Sequence, residues 1–225
     1  MTSKFLITTA DERTWSHERP VLFLGEWCRR YDRKKIWEGM DARLAEPYGL
    51  QVGQKERDFN YLKDQSSQLL VEVADLLNAY HNTRHSLRYW NIVLGHWLAC
   101  YVETAFNRYF TLEQALKNHD VSCTAVFDST DYSLVTNDSL ANIRACNDDV
   151  WNHFFYTKII NYWKNLKIEI DSVPLKGVSG FVQNRNGINE PRTATKRFIL
   201  KVVNQVLPKL TRKQDAFICS SYLPL

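Results

Sequence analysis

The sequence predicts an α/β fold with a small, mainly parallel sheet and an unusually heavy helical complement. Three observations carry that expectation. Two short β-branched and apolar runs near the N-terminus, KFLITTA at 4–10 and VLFLGEW at 21–27, are bounded by polar turns and read as buried strands. Long stretches of helical apolar spacing follow, and a third strand-like run, VSCTAVFD at 121–128, comes only after them. Strands separated by helix-length segments are the sequence form of a parallel sheet with crossover helices. With 225 residues and 26.4 kDa there is room for one large domain, or for one domain and part of a second. The expected organisation is an N-terminal α/β domain over 1–170, a loop or linker over 171–190, and a helix plus strand over 191–225.

Taken in order, the first two strands are joined by about ten residues, short for a parallel crossover, so their pairing direction is open from sequence. Residues 33–44 are expected to hold a short helix, and Pro47, Gly49 and Gly53 mark a turn region. From about Lys55 to His81 apolar residues recur at Phe59, Leu62, Leu69, Leu70, Val73, Leu76, Leu77 and Tyr80, opposite an acidic and amide face, which predicts an amphipathic helix. Ser86 is placed to cap the next one. That segment, 85–110, is nearly all-round apolar except for one line of His85, Tyr89, His96, Glu103 and Asn107, grouped within roughly 40° on a helical projection. The line must meet water, a ligand or buried partners, since an unpaired polar group in a core costs several kcal/mol. Thr111 with Gln114 suits a capping box, so a restart is expected there. Short helices are expected at 139–145 and beyond Asp148, a candidate cap for a broad apolar face containing Trp151, Phe154, Phe155, Ile159 and Trp163. Residues 164–189 lose regularity after a strand-like IEI, with Pro174, Gly177, Gly180 and Gly187. Pro191 opens a last helix, and 215–225 reads as a buried strand and the residues beyond its end.

Composition sets limits. Hydrophobic residues at 44% and charged residues at 24% exclude a disordered or fibrous chain. Aromatics at 13%, with seven Trp, suit large helix contacts or a sugar- or base-stacking cleft. The net charge of +4 is unevenly spread: the segment from Lys176 to Lys213 carries nine basic residues against one acid, Glu190. A second cluster, Arg29, Arg30, Arg33, Lys34 and Lys35, follows VLFLGEW, where it is either a solvated loop or one facing an anionic ligand beyond a strand end. Five scattered Cys without CxxC spacing, and no signal-peptide core, indicate reduced thiols and a cytoplasmic location. The longest uncharged run, Tyr89–Val102, is shorter than the ~20 residues that cross a bilayer.

FLITTA, VLFLGEWC at 21–28, HSLRYWNIVLGHWL at 85–98 and the ending AFICSSYLPL together resemble a bacterial family of transferases in surface-carbohydrate biosynthesis. Family members are longer, and this chain corresponds to their N-terminal part. The resemblance implies a Rossmann-like N-terminal lobe of a two-lobed transferase, with a further C-terminal lobe as its partner. It also implies transfer of a glycosyl or polyol-phosphate group from a nucleotide-sugar or nucleotide-polyol donor to a saccharide acceptor in building the cell envelope. The activated nucleotide is a substrate, so no cofactor is expected, and peripheral membrane association fits the role whereas nucleic acid does not.

Group transfer from such a donor needs a base for the acceptor hydroxyl and positive or dipolar groups for the leaving phosphates. Glu26, after Gly25 at a strand end, is the first candidate base, because partial burial there raises a carboxylate's pKa. The competing reading is an exposed turn glutamate or a structural partner of an arginine. His85 is the second candidate and His96 a third, against the reading of satisfied core histidines. The spacing His85-x10-His96-x6-Glu103 is not that of a metal site. Arg88 can hold phosphate through its planar fork or serve a salt bridge. Thr9, Gly25, Trp27, Tyr89, Ser220 and Ser221 complete the expected substrate-binding set, while Trp90 and Trp97 read as core packing. Cys28 as a nucleophile needs a neighbouring base, and its sequence neighbours Arg29 and Arg30 would lower its pKa. The loop KGVSG at 176–180 lacks both the P-loop ending and the dinucleotide pattern. An interaction module packing on a partner or missing lobe is the alternative to a transferase, followed by polyanion binding through the basic C-terminal third.

Overall fold

Strand β1, Lys4–Ile7, takes the centre of the sheet because its apolar side chains are buried on both faces. It pairs in parallel with β2, Val21–Phe23, on one side and with β4, Val121–Asp128, on the other. Outside these lie β3, Ala42–Leu44, against β2, and β5, Glu169–Pro174, against β4, both also parallel. The structure is a computed structural model and describes residues 3–129, 131–163, 166–175, 178 and 180–181. Two compact units divide the chain, Met1–Val182 and Gln183–Leu225. The second, with the helix and strand expected over 191–225, lies outside the described residues.

The strand order β3-β2-β1-β4-β5 is that of a doubly wound, Rossmann-like sheet, and every described strand is parallel. The β1–β2 crossover, open from sequence, is made without an α-helix. The chain passes through a 3₁₀ turn at Glu12–Thr14, where Asp11 accepts from the Arg13 amide, and Trp15 packs edge-on to Phe23 at 5.3 Å. The expected helix at 33–44 contracts to α1, Lys34–Trp37, and its last residues form β3 instead.

Helices α2, Gln54–His81, and α3, Leu87–Asn118, make a long antiparallel hairpin between β3 and β4. Ser86 caps α3 as expected, its hydroxyl accepting from the Tyr89 amide. The expected break at 111 is absent: Thr111 is buried, and α3 runs on so that Leu112 and Ala115 reach the sheet core with Tyr156 and Ile160. The apolar N-terminal half of α3 is less enclosed than its composition implies. Its cluster of Leu70, Ala74, Trp90 and Leu98 is shared with α2, and Ile92 and Val93 face outward. All five members of the polar line are exposed, so it is a solvated face. Among the described residues no helix is long and apolar enough to cross a membrane.

After β4, α4, Ser139–Ala145, and α5, Asp149–Tyr162, begin at Asp138 and Asp148, whose carboxylates accept from Ala141 N and Trp151 N. Phe127, Tyr132, Ala145, Trp151, Phe154 and Phe155 form a second core, with Tyr132 stacked on Phe154 at 4.0 Å.

Candidate functional site

The chain runs outward from β1 to β3, then crosses back to β4, so the strand order reverses between β1 and β4. In sheets of this kind the ligand crevice lies beyond the strands' carboxyl ends at that reversal. A cavity of about 300 Å³ sits there. Thr9 comes to it from β1, Trp27 and Arg30 from the segment after β2, and Asn107 and Arg108 from α3. The turn before α5 adds Cys146 and Asn147, and α5 itself adds Asp149, Asn152 and Tyr156.

The end of β1 is fixed one carbonyl at a time. Cys28 Sγ lies 3.5 Å from Ile7 O, Trp27 Nε1 donates to Thr8 O at 3.0 Å, and Trp15 Nε1 donates to Thr9 O at 3.0 Å. The Trp27 ring lies so close over Gly25 that a Cβ there would sit 2.0 Å from it, which explains the glycine. Thr9 is buried, and its hydroxyl has no hydrogen-bond partner among the described residues.

Arg30 pairs with Asp149 across the cavity. Burial holds the Asp149 carboxyl above the ordinary aspartate value, while Arg30 and the Ala10 amide, which donates to Oδ1 at 3.3 Å, draw it back. Arg108 is held differently. Its Nε donates to Asn152 Oδ1 at 3.1 Å, Nη1 to Asn107 Oδ1 at 3.0 Å and Nη2 to the Cys146 carbonyl at 3.0 Å, all neutral acceptors. A charged groove of about 570 Å³ shares Arg30, Asn147 and Asp149 with the cavity. Its other arginines are compensated, Arg33 by Glu12 at 2.6 Å and Arg13 by Asp11 at 2.5 Å.

His153, on α5 behind the cavity, is buried with Nδ1 3.3 Å from the Thr8 hydroxyl oxygen and its ring edge-on to Phe127 at 4.6 Å. Burial depresses its pKa to about 4, and Nε2 has no partner among the described residues.

Of the residues expected from sequence, the structure brings Thr9 and Trp27 to one cavity and places Gly25 beneath Trp27. Glu26 adjoins them, but its side chain is 68% exposed and paired with Arg29 at 2.6 Å, so the partial burial expected of it is absent. His85, Arg88, Tyr89 and His96 lie exposed on or beside the first turns of α3 and do not line this cavity; His85 stacks on Tyr89 at 4.0 Å. Ser220 and Ser221 lie outside the described residues. Cys28 is fully buried, which pushes its thiol up to about 12 despite the neighbouring arginines. Sequence reasoning missed Arg108, on α3, and Asp149 and Asn152, on α5, because the two helices are far apart in the chain and meet only in the fold. The available signal was Asn147-Asp148-Asp149, in which one aspartate suffices as a cap and leaves the next unexplained.

Fold and site together define a doubly wound α/β protein with a polar crevice at its topological switch point. The chain belongs to the LIC12162 family of transferases, whose family model matches residues 4–225. No curated protein and no solved structure matches it.

Proposed function

We propose that this transferase moves a glycosyl or polyol-phosphate group from a nucleotide-activated donor to a saccharide acceptor in cytoplasmic steps of bacterial surface-polysaccharide synthesis, one substrate entering the cavity at the β1–β4 reversal. The observation that supports this most is Asp149, a half-buried carboxylate of raised pKa facing a cavity of sugar size. In this reading Asp149 takes the proton of the acceptor hydroxyl as the oxygen attacks, and the nucleotide departs with the electron pair of the broken bond on its phosphate oxygen. Trp27, half-exposed at the rim, supplies an apolar face for a sugar ring.

The test is consumption of a panel of nucleotide sugars and nucleotide polyols by the full chain with saccharide acceptors. Asp149→Asn is expected to lower turnover by about 10²–10⁴-fold. Glu26→Gln, His85→Ala and Arg88→Ala, assayed alongside, test the residues expected from sequence. Unchanged turnover in Asp149→Asn removes the base assignment, and no consumption of any donor removes the reaction class. A second reading, a noncatalytic interaction module, draws support from the outward apolar side chains Phe59, Leu76 and Ile92 on α2 and α3. Self-association of the full chain in sedimentation, abolished by Leu76→Glu and Ile92→Glu, would favour it.

A further inference from the structure

We propose that Arg108 and Thr9 form an oxyanion subsite in this cavity, taking a phosphoryl group carried by one of the substrates; the proposal rests on the reading of the cavity as a substrate site. Arg108 is the cavity's uncompensated charge. Of the arginines lining the cavity or the charged groove beside it, Arg13, Arg30 and Arg33 each have a carboxylate within ion-pair distance, whereas Arg108, though partly buried, is held by two amide oxygens and a backbone carbonyl. Asp149 lines the same cavity, but its charge is already matched by Arg30, so the two guanidiniums and one carboxylate leave a net positive charge.

The three neutral acceptors fix the guanidinium plane without neutralising it. They take up the Nε hydrogen and one hydrogen on each terminal nitrogen, which leaves each terminal nitrogen a second N–H able to donate to an oxyanion. Thr9 supplies the second, independent observation. It is 1% exposed, lines the same cavity, and its hydroxyl has no partner among the described residues, a state that costs free energy unless a ligand completes it. Two N–H donors and a hydroxyl suit the three terminal oxygens of a phosphoryl group better than the two of a carboxylate. Such a group arrives either on a nucleoside diphosphate or on a phosphorylated sugar or polyol, and the chemistry recognised is the same.

The experiment is calorimetric titration of the full chain with inorganic pyrophosphate at constant ionic strength, repeated with uridine diphosphate and with glycerol 3-phosphate as competitors. Saturable pyrophosphate binding is expected. Arg108→Gln should weaken it at least tenfold, Arg108→Lys less, and Thr9→Val several-fold. Stronger competition by uridine diphosphate assigns the subsite to the donor, and stronger competition by glycerol 3-phosphate to a phosphorylated substrate. Because Arg108 also ties α3 to the turn before α5, Thr9→Val carries the test if Arg108→Gln fails to fold. No pyrophosphate binding by the native chain, or equal binding by the folded variants, overturns the proposal. Binding of an inorganic anion needs no turnover, so this outcome is separate from that of the donor-consumption assay.

Discussion

The imidazole of His153 and the hydroxyl of Thr8 meet at 3.3 Å beneath the crevice, joining α5 to the end of the central strand. Burial keeps this histidine neutral, with a pKa near 4 against an ordinary 6.5. Between those values the unfolded chain binds a proton that the native state does not. The stabilisation is therefore complete above pH 6.5 and is lost as pH falls toward 4. The gap corresponds to roughly 3 kcal/mol. Urea unfolding of the native chain and of His153→Phe at pH 7 and pH 5 checks this. The variant should lose much less stability on acidification, and equal losses would place the acid sensitivity elsewhere.

Gly25→Ala tests the Trp27 wall. The backbone there is extended, with φ −171°, so the added methyl meets no strain of its own and acts only by displacing the indole. Stability should fall by no more than about 1–2 kcal/mol, because a half-exposed ring can swing outward. Loss of the Trp27–Thr8 hydrogen bond should appear as a change in tryptophan emission, together with weaker ligand binding in the cavity. Native emission and native binding in the variant would show that the ring does not form the wall.

Asn78 holds the tip of the α2–α3 hairpin through four hydrogen bonds. Its Nδ2 donates to His85 O at 2.9 Å, and its Oδ1 accepts from His85 N at 2.9 Å, Thr83 Oγ1 at 3.0 Å and Trp90 Nε1 at 3.1 Å. Asn78→Leu leaves those groups without partners, and a loss of about 1–3 kcal/mol is expected. Amide exchange across 82–90 should accelerate, while exchange in β1 and β4 stays protected. Uniform acceleration throughout would mean that the tip is coupled to the sheet.

Thiol reactivity should follow burial. Cys28 and Cys123 are buried, Cys100 and Cys146 only partly so. Alkylation of the native chain followed by peptide mapping should label Cys146 and Cys100 well before Cys28, whose burial also pushes its thiol up to about 12 and keeps it protonated at neutral pH. Early labelling of Cys28 would contradict the packing around Ile7.

Much of the fold was legible. The runs at 4–10, 21–27 and 121–128 announced three strands, Ser86 and Asp148 cap helices as expected, and the helix expected at 139–145 forms there. Strand β3 was not, because Ala42-Arg43-Leu44 has little apolar signal and is held by its pairing with β2. Nor was the continuity of α3 past Thr111, where burial against the sheet outweighs a local capping preference. Thr9, Gly25 and Trp27 could be read because each lies just beyond the end of a strand visible in the sequence, Thr9 after β1 and the other two after β2. Arg108 and Asp149 could not, since their proximity depends on how α3 and α5 cross the sheet edge.

The position of β1 also governs how the chain must assemble. Lys4 pairs with Val121, so the central ladder cannot close until the whole α2–α3 excursion has been traversed. Closing a long loop costs more entropy than closing a short one, and such distant pairings slow folding. The excursion, however, is a hairpin of neighbouring helices that can zip from its own tip, drawing the ends of the loop together beforehand. The tip of this helix pair, several turns of α3 away from Arg108, thereby becomes the timer for the sheet, and lesions there should delay refolding as well as loosen the tip itself.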